Sequence, residues 1–320
     1  MLLAGTTDGV YTLTEVAGPA PPVAEKVLDA SDVTRLAEFD AVEGVFAATY
    51  DGLFHSVDGR EWTNLSLPEA HVCSVAVHPE GDTNNAGTKP ARLFEASLDA
   101  SPRLDDLTWR DVSAFDERRE RSDWSLPRHD DLAIVRRLCT HPDVPDRLVT
   151  GVEVGGIHVS DDRTESLETR SVSGFDAPHT DDIHHIELED SDTLVASTGS
   201  GLYRTTDLGQ TWTRLDTGHN QRYFRESFAH DGSLYAGGAP FPSTSWDEKS
   251  DHALFECHDG RNLERVPSQR PKRLPAAGVQ LRARYSHRRT KVRSFDGRRM
   301  VGRLQGRFPT PRRCSIGIFH

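Results

Sequence analysis

The chain has 320 residues, 28% of them charged, with a formal net charge of −12. No run of about 18 apolar residues occurs, so there is no candidate membrane-spanning helix, and Leu2-Leu3-Ala4 is too short for the apolar core of a signal peptide. Cys73, Cys139, Cys257 and Cys314 lie far apart; that spacing fits buried free thiols better than disulfides or a zinc site, and with them a cytoplasmic protein.

In chain order, one unit recurs. It reads as a small-residue strand, a turn, an apolar strand, a second turn and a short strand. It starts as Leu2-Leu3-Ala4-Gly5-Thr6-Thr7-Asp8-Gly9-Val10-Tyr11 and returns as Val45-Phe46-Ala47-Ala48-Thr49-Tyr50-Asp51-Gly52-Leu53-Phe54. Degenerate copies follow at Ala86–Lys89, Val149–Glu153, Val195–Gly199 and Tyr235–Gly238. Aligning Ala4, Ala48, Ala86, Thr150, Ala196 and Ala236 gives intervals of 44, 38, 64, 46 and 40 residues. A period in the forties with four short strands per unit predicts an all-β fold, a β-propeller of six or seven four-stranded blades, with six units visible. The long interval fits an insertion around Arg118–Asp130. Innermost strands are predicted at Val72–His78, Val135–His141, Asp182–Leu188 and Tyr223–His230; alternating apolar and polar residues suit half-buried antiparallel strands. No amphipathic helix is predicted.

The most specific stretch is Thr205-Thr206-Asp207-Leu208-Gly209-Gln210-Thr211-Trp212. Asp207 can accept backbone N–H groups, Gly209 can take φ > 0, and Trp212 can cover the turn from the next strand. A shortened copy is Ser56-Val57-Asp58-Gly59-Arg60-Glu61-Trp62. Both resemble the Asp-box, or BNR repeat, of the sialidase and sortilin-like propellers. In that family the structural positions correspond here to Thr205, Asp207, Gly209 and Trp212, and to Ser56, Asp58, Gly59 and Trp62. The resemblance covers residues 2–266 as repeats and implies a fold more firmly than a function. It admits glycoside hydrolases such as sialidases and endoglucanases, and non-catalytic relatives such as photosystem assembly factors and sortilin-type receptors. The Phe/Tyr-Arg-Ile-Pro segment of sialidases is absent.

Charge divides the chain into residues 1–269, the propeller, and 270–320, a basic tail. The tail holds 15 Lys/Arg against the single acid Asp296, so the body is far more acidic than the whole-chain −12. An acidic body with only five lysines in the chain resembles proteins of salt-loving microbes. The tail lacks the repeat pattern after Val266. Its composition predicts a segment with little stable structure, or the product of a shifted reading frame, rather than a nucleic-acid arm.

In a propeller the Asp-box turns lie on one face, and the channel mouth opens on the other. Mouth positions read from the repeat include His71, Lys89, Arg136, Glu153, Asp182, His184 and Arg225. Asp181-Asp182-Ile183-His184-His185 sends Asp182 and His184 to one side of a strand. Two such ligands make no metal site without others, so no metal and no cofactor are expected. The expected function is a non-catalytic scaffold holding a protein partner or small ligand through His71, Lys89, Arg136, His184 and Arg225. The alternative is a glycoside hydrolase using Glu153 and Asp182 as paired carboxylates.

Overall fold

Small residues and turn glycines set the sheet geometry. A computed structural model describes residues 2–14, 23–98, 104–125, 132–245, 251–267, 278–281 and 313–318. They form a six-bladed β-propeller, not a seven-bladed one. Blade two runs β4 (Arg35–Phe39), β5 (Val42–Thr49), β6 (Gly52–Ser56), β7 (Thr63–Asn64); blade three runs β8 (Val72–Val77), β9 (Thr83–Thr88), β10 (Leu93–Ser97), β11 (Arg110–Asp111). Blade four is β12 (Ile134–His141), β13 (Val144–Glu153), β14 (Gly156–Ser160) and β15 (Glu168–Arg170). Blade five is β16 (Ile183–Leu188), β17 (Leu194–Thr198), β18 (Gly201–Thr205) and β19 (Thr213–Arg214). Blade six is β20 (Tyr223–His230), β21 (Ser233–Ala239), β22 (Ala253–Cys257) and β23 (Glu264–Arg265).

Blade one joins both ends of the chain. β1 (Leu2–Thr6), β2 (Gly9–Thr14) and β3 (Val23–Leu28) supply three strands, and β25 (Arg313–Ile318) pairs antiparallel with β1 from Leu2↔Ile318 to Thr6↔Cys314. β24 (Gly278–Leu281) lies parallel to β25. A tail without blade-like strands therefore does not hold for these two stretches. The rest of 270–320, like residues 126–131 of the expected insertion, lies outside the described residues. The pattern could not foresee β25, because a strand that pairs with the far end of the chain needs no repeat of its own.

Registers explain the recurring small residue. Each second strand of a blade pairs one with a ring on the third: Ala4↔Tyr11, Ala47↔Phe54, Ala86↔Phe94, Thr150↔His158, Ala196↔Tyr203 and Ala236↔Phe255. The small side chain makes room for the ring across the ladder. Ala47, not Ala48, is thus the equivalent of Ala4, which corrects the alignment by one residue. The turn that follows is also encoded. In Thr6, Thr49 and Thr198 the hydroxyl donates to the carbonyls of Gly9, Gly52 and Gly201 at 2.9, 3.0 and 3.1 Å. A Cβ on Gly9, whose φ is +127°, would sit 2.0 Å from the Leu28 carbonyl oxygen.

Apolar side chains one step beyond those rings fill the seams between blades. Val10, Leu53, Leu93, Ile157 and Leu202 are 0–1% exposed and belong to five successive core clusters. Burying each contributes about 1.5–3 kcal/mol. Their equivalent in blade six, Leu254, pairs with Gly237 and is 39% exposed. The blade six surface that faces away from blade five is therefore open to solvent at this position.

In four third-to-fourth-strand turns an aspartate carboxylate accepts from backbone N–H groups of its own turn, two to four residues on. Asp207 Oδ1 accepts from the Thr211 N–H at 2.8 Å, and Thr205 Oγ1 accepts from the Gly209 N–H at 2.9 Å. Asp58 Oδ1 accepts from the N–H groups of Arg60 and Glu61 at 2.8 and 2.9 Å. The other two were not read from sequence. Asp162 Oδ1 accepts from the Ser166 N–H at 2.9 Å, and Asp259 Oδ1 accepts from Arg261 and Asn262 N–H groups, both at 2.8 Å. In the Asp162 turn Thr164 takes φ 73°, where the Asp207 turn has Gly209 at 83°. Leu167 and Leu263 replace the tryptophans. Trp62 and Trp212 are half-buried and pack against the seam clusters of blades one–two and four–five.

A short helix, α1 (Ser113–Glu120), corrects the expectation of none. Only Phe115 of its residues is fully buried, against Trp124 and His158, so its apolar pattern is too sparse to read. Among the described residues no helix is long and apolar enough to cross a membrane.

Candidate functional site

Innermost strands of four successive blades carry a β-bulge at the same place. The register skips Cys73 between Val72 and Ser74, Arg136 between Val135 and Arg137, His184 between Ile183 and His185, and Arg225 between Phe224 and Glu226. A bulge leaves one residue outside the ladder and re-aims its side chain. Turns from second to third strand, and the entries to the inner strands, lie at the strand ends opposite the Asp turns. The bulged residues therefore form one arc at the mouth.

Blades four and five bring two acids together there. Glu153 ends β13, Asp182 immediately precedes β16, and the two form an isolated antiparallel bridge across the seam. They are 1% and 3% exposed. Arg136 Nε donates to Glu153 Oε2. Burial works against the charge on Arg136, but Glu153, with smaller contributions from Cys73 and Tyr50, works for it, and the net shift is upward. His184 is fixed by a 2.6 Å hydrogen bond from Nδ1 to the Phe224 carbonyl, which turns Nε2 toward Asp182 Oδ1 at 3.6 Å. One oxygen of Glu153, one of Asp182 and a ring nitrogen of His184 lie within 4.8 Å of one another. These three could hold a divalent cation, with the second ring nitrogen of His184 oriented by the backbone as metal-bound histidines are. Arg136 already supplies a positive charge against Glu153.

Other predicted residues extend the arc. His71 is exposed and its ring stacks on Tyr50 at 4.7 Å. Its carbonyl accepts from the Lys89 N–H at 2.9 Å, and Lys89 is half-buried. Arg225, also half-buried, donates to the Tyr223 hydroxyl at 3.2 Å, and the Tyr223 ring lies 4.6 Å from that of His184. Cys73 is buried, and its thiol is pushed up to about 11 by loss of water.

A second ring of polar side chains sits one residue deeper and was missed. Arg35, Ser74, Arg137, His185 and Glu226 occupy one register position in blades two to six. Glu226 Oε1 lies 3.3 Å from His185 Nε2 and 3.6 Å from Arg35 Nη1. Burial raises the Glu226 carboxyl, with Arg35, Arg137 and Arg225 opposing. No sequence signal marks this ring: Arg35, Ser74, Arg137, His185 and Glu226 stand 12, 12, 13, 11 and 10 residues before Ala47, Ala86, Thr150, Ala196 and Ala236, and only the ladder register brings them into one position. On the opposite face His78, Glu80 and Asp82 also cluster, but Arg163 already bonds Glu80, Asp82 and Asp146 at 2.6–2.8 Å.

No family model and no curated protein matches the sequence. Solved structures do share the fold. The GH74 xyloglucanase from Xanthomonas campestris superposes with a TM-score of 0.60 at 15% identity, over 87% of this chain and 44% of that one. An ancestral GH74 enzyme gives 0.57 at 15% identity, over 74% and 31%. The GH74 enzyme of Niastella koreensis gives 0.52 at 12%, over 73% and 36%. The chain thus spans less than half of each of these enzymes. At such identities the likeness shows the propeller fold.

Proposed function

We propose that the chain is a glycoside-hydrolase-like propeller whose reacting groups are Glu153 and Asp182. The observation that carries this reading is the meeting of two carboxyls from adjacent blades at the mouth, with oxygens within 4.8 Å. Glycoside cleavage needs two such groups, one to protonate the leaving oxygen and one to act as nucleophile or base. Glu153 lies against Arg136 and suits the ionised role. Asp182, beside His184, suits the proton donor. A separation near 5 Å belongs to retaining enzymes, since inverting ones leave room for a water between the groups. Fold similarity to GH74 enzymes adds support by analogy. NMR of the first-formed sugar tests the reading: retention of anomeric configuration is expected, and inversion would contradict this assignment of roles.

One observation favours a second reading, the non-catalytic scaffold. Glu153 and Asp182 are 1% and 3% exposed, and Arg136 covers Glu153. On this reading the ion pair is structural, and His71, Lys89, Arg136, His184 and Arg225 meet a protein partner or small ligand. Membership of the Asp-box repeat class is part of the proposal, supported by the four Asp turns. So is a cytoplasmic location, supported by the buried free thiols Cys73, Cys139 and Cys257.

A further inference from the structure

The His184 ring is 4% exposed, and the state of its two nitrogens follows from their neighbours. Nδ1 lies 2.6 Å from the Phe224 carbonyl oxygen, which can only accept, so Nδ1 carries the proton and Nε2 of the neutral ring presents a lone pair. Nε2 is buried, has no hydrogen-bond partner among the described residues, and faces Asp182 Oδ1 at 3.6 Å. A lone pair turned toward a carboxylate oxygen away from water is unfavourable unless a cation lies between them. The separation is too long for a hydrogen bond. It is close to the edge, about 3.3–3.5 Å, between two ligands of a tetrahedral ion bound at about 2.0–2.2 Å. Asp182 and His184 alone make no site, but the seam adds Glu153, and one ligand atom of each lies within 4.8 Å of the others.

We infer that Glu153, Asp182 and His184 bind a zinc ion. The ligands already have the outer supports that hold metal-binding side chains in place. The Phe224 carbonyl fixes the His184 ring, and Arg136 Nε holds Glu153 through Oε2. A carboxylate has lone pairs enough to serve a guanidinium and an ion together. Asp182 is seated against main chain, since a Cβ on Gly199 would stand 2.7 Å from its Oδ2. One imidazole nitrogen with two carboxylate oxygens suits zinc, whereas calcium and magnesium take oxygen ligands. The ion takes oxygens that the glycoside reading assigns to the reaction, so on that reading bound zinc blocks turnover. The site itself rests on the geometry of the three side chains and not on the glycoside reading.

The experiment is calorimetric titration of the full chain, stripped of metal with EDTA, with zinc, calcium and magnesium chlorides. Zinc should bind at a single equivalent, and calcium and magnesium should bind far more weakly. His184→Gln and Asp182→Asn, each checked by thermal melting, should weaken zinc by about tenfold or more. His78→Gln, on the opposite face, should leave zinc affinity unchanged. Zinc-edge X-ray absorption of the wild-type chain decides if those variants fail to fold: outer-shell scattering from one imidazole is expected. Absence of zinc binding, calcium bound as tightly as zinc, affinity unchanged in His184→Gln, or a spectrum without imidazole would overturn the inference. Zinc bound in this way by a chain that cleaves no polysaccharide removes the glycoside reading and leaves the site standing. Turnover by a chain that binds no zinc does the reverse.

Discussion

Arg136 and Glu153 form a buried ion pair between the first two strands of one blade, 9% and 1% exposed as residues. Removing one partner leaves an uncompensated charge away from water. Arg136→Met or Glu153→Leu should each cost about 3–5 kcal/mol. The double variant should recover most of that loss, because two apolar side chains of similar volume leave nothing unpaired. Urea denaturation of the four proteins completes the cycle. Additive losses in the double variant would show that the two groups do not act as a pair.

His158 gives a pH dependence with a definite sign. Burial, with a smaller contribution from Arg118, lowers its imidazole to about 4 from 6.5. Between those values the unfolded chain binds the extra proton, so stability is full above pH 6.5 and falls as pH drops toward 4. The loss should be about 2–3 kcal/mol. His158→Gln should flatten this part of the profile. An unchanged slope between pH 6.5 and 4 would assign the effect to other groups.

The Asp turns add a lower window. Asp207 is held at about 2, chiefly by its hydrogen bonds with the Thr205 and Thr211 hydroxyls. Asp58, Asp162 and Asp259 are lowered as well, by hydrogen bonds from backbone N–H groups and side chains of their own turns: the Ser56 hydroxyl for Asp58, the Ser166 and Ser160 hydroxyls for Asp162, and the Asn262 amide for Asp259. Depressed carboxylates contribute stability above their unfolded value of 3.8, and that contribution is lost as pH falls through 3.8 toward the folded value. Asp207→Asn should therefore narrow the gap in melting temperature between pH 5 and pH 2. Equal narrowing by a change at an unshifted surface acid would refute the assignment.

The open face of blade six predicts a contrast between equivalent leucines. Leu202→Ala removes a fully buried side chain and should cost about 2–5 kcal/mol. Leu254→Ala, at 39% exposure, should change stability by less than about 0.5 kcal/mol. Thermal melts of the two variants decide, and equal losses would mean that the Leu254 face is covered in solution.

The repeat made the fold legible because each blade solves the same packing problem with the same residue types. The small residue opposite a ring survives in all six blades, and the Thr-to-Gly turn in three of them, at Thr6, Thr49 and Thr198. Two of the four Asp turns were hidden because geometry outlives motif: Thr164 adopts the left-handed backbone that Gly209 adopts, and leucines do the covering work of tryptophan. The mouth was partly legible. Asp182 and His184 were visible as an i, i+2 pair, and Glu153 as a lone acid among glycines. The bulges were not, since an extra residue in a strand leaves no mark in composition. Without them the deeper ring from Arg35 to Glu226 stays invisible. The closing strand Arg313–Ile318 lies outside the repeat altogether.

Release of reducing ends from a panel of soluble acidic and neutral polysaccharides, by the wild-type chain and by Glu153→Gln and Asp182→Asn, tests the carboxylate pair most directly. Either change replaces one oxygen by an amide nitrogen of nearly the same size. The account predicts turnover by the wild type and a loss of about 10²–10⁴-fold in each variant, with circular dichroism unchanged. Turnover that persists in both variants, or a correctly folded wild-type chain that cleaves nothing on the panel, would contradict it.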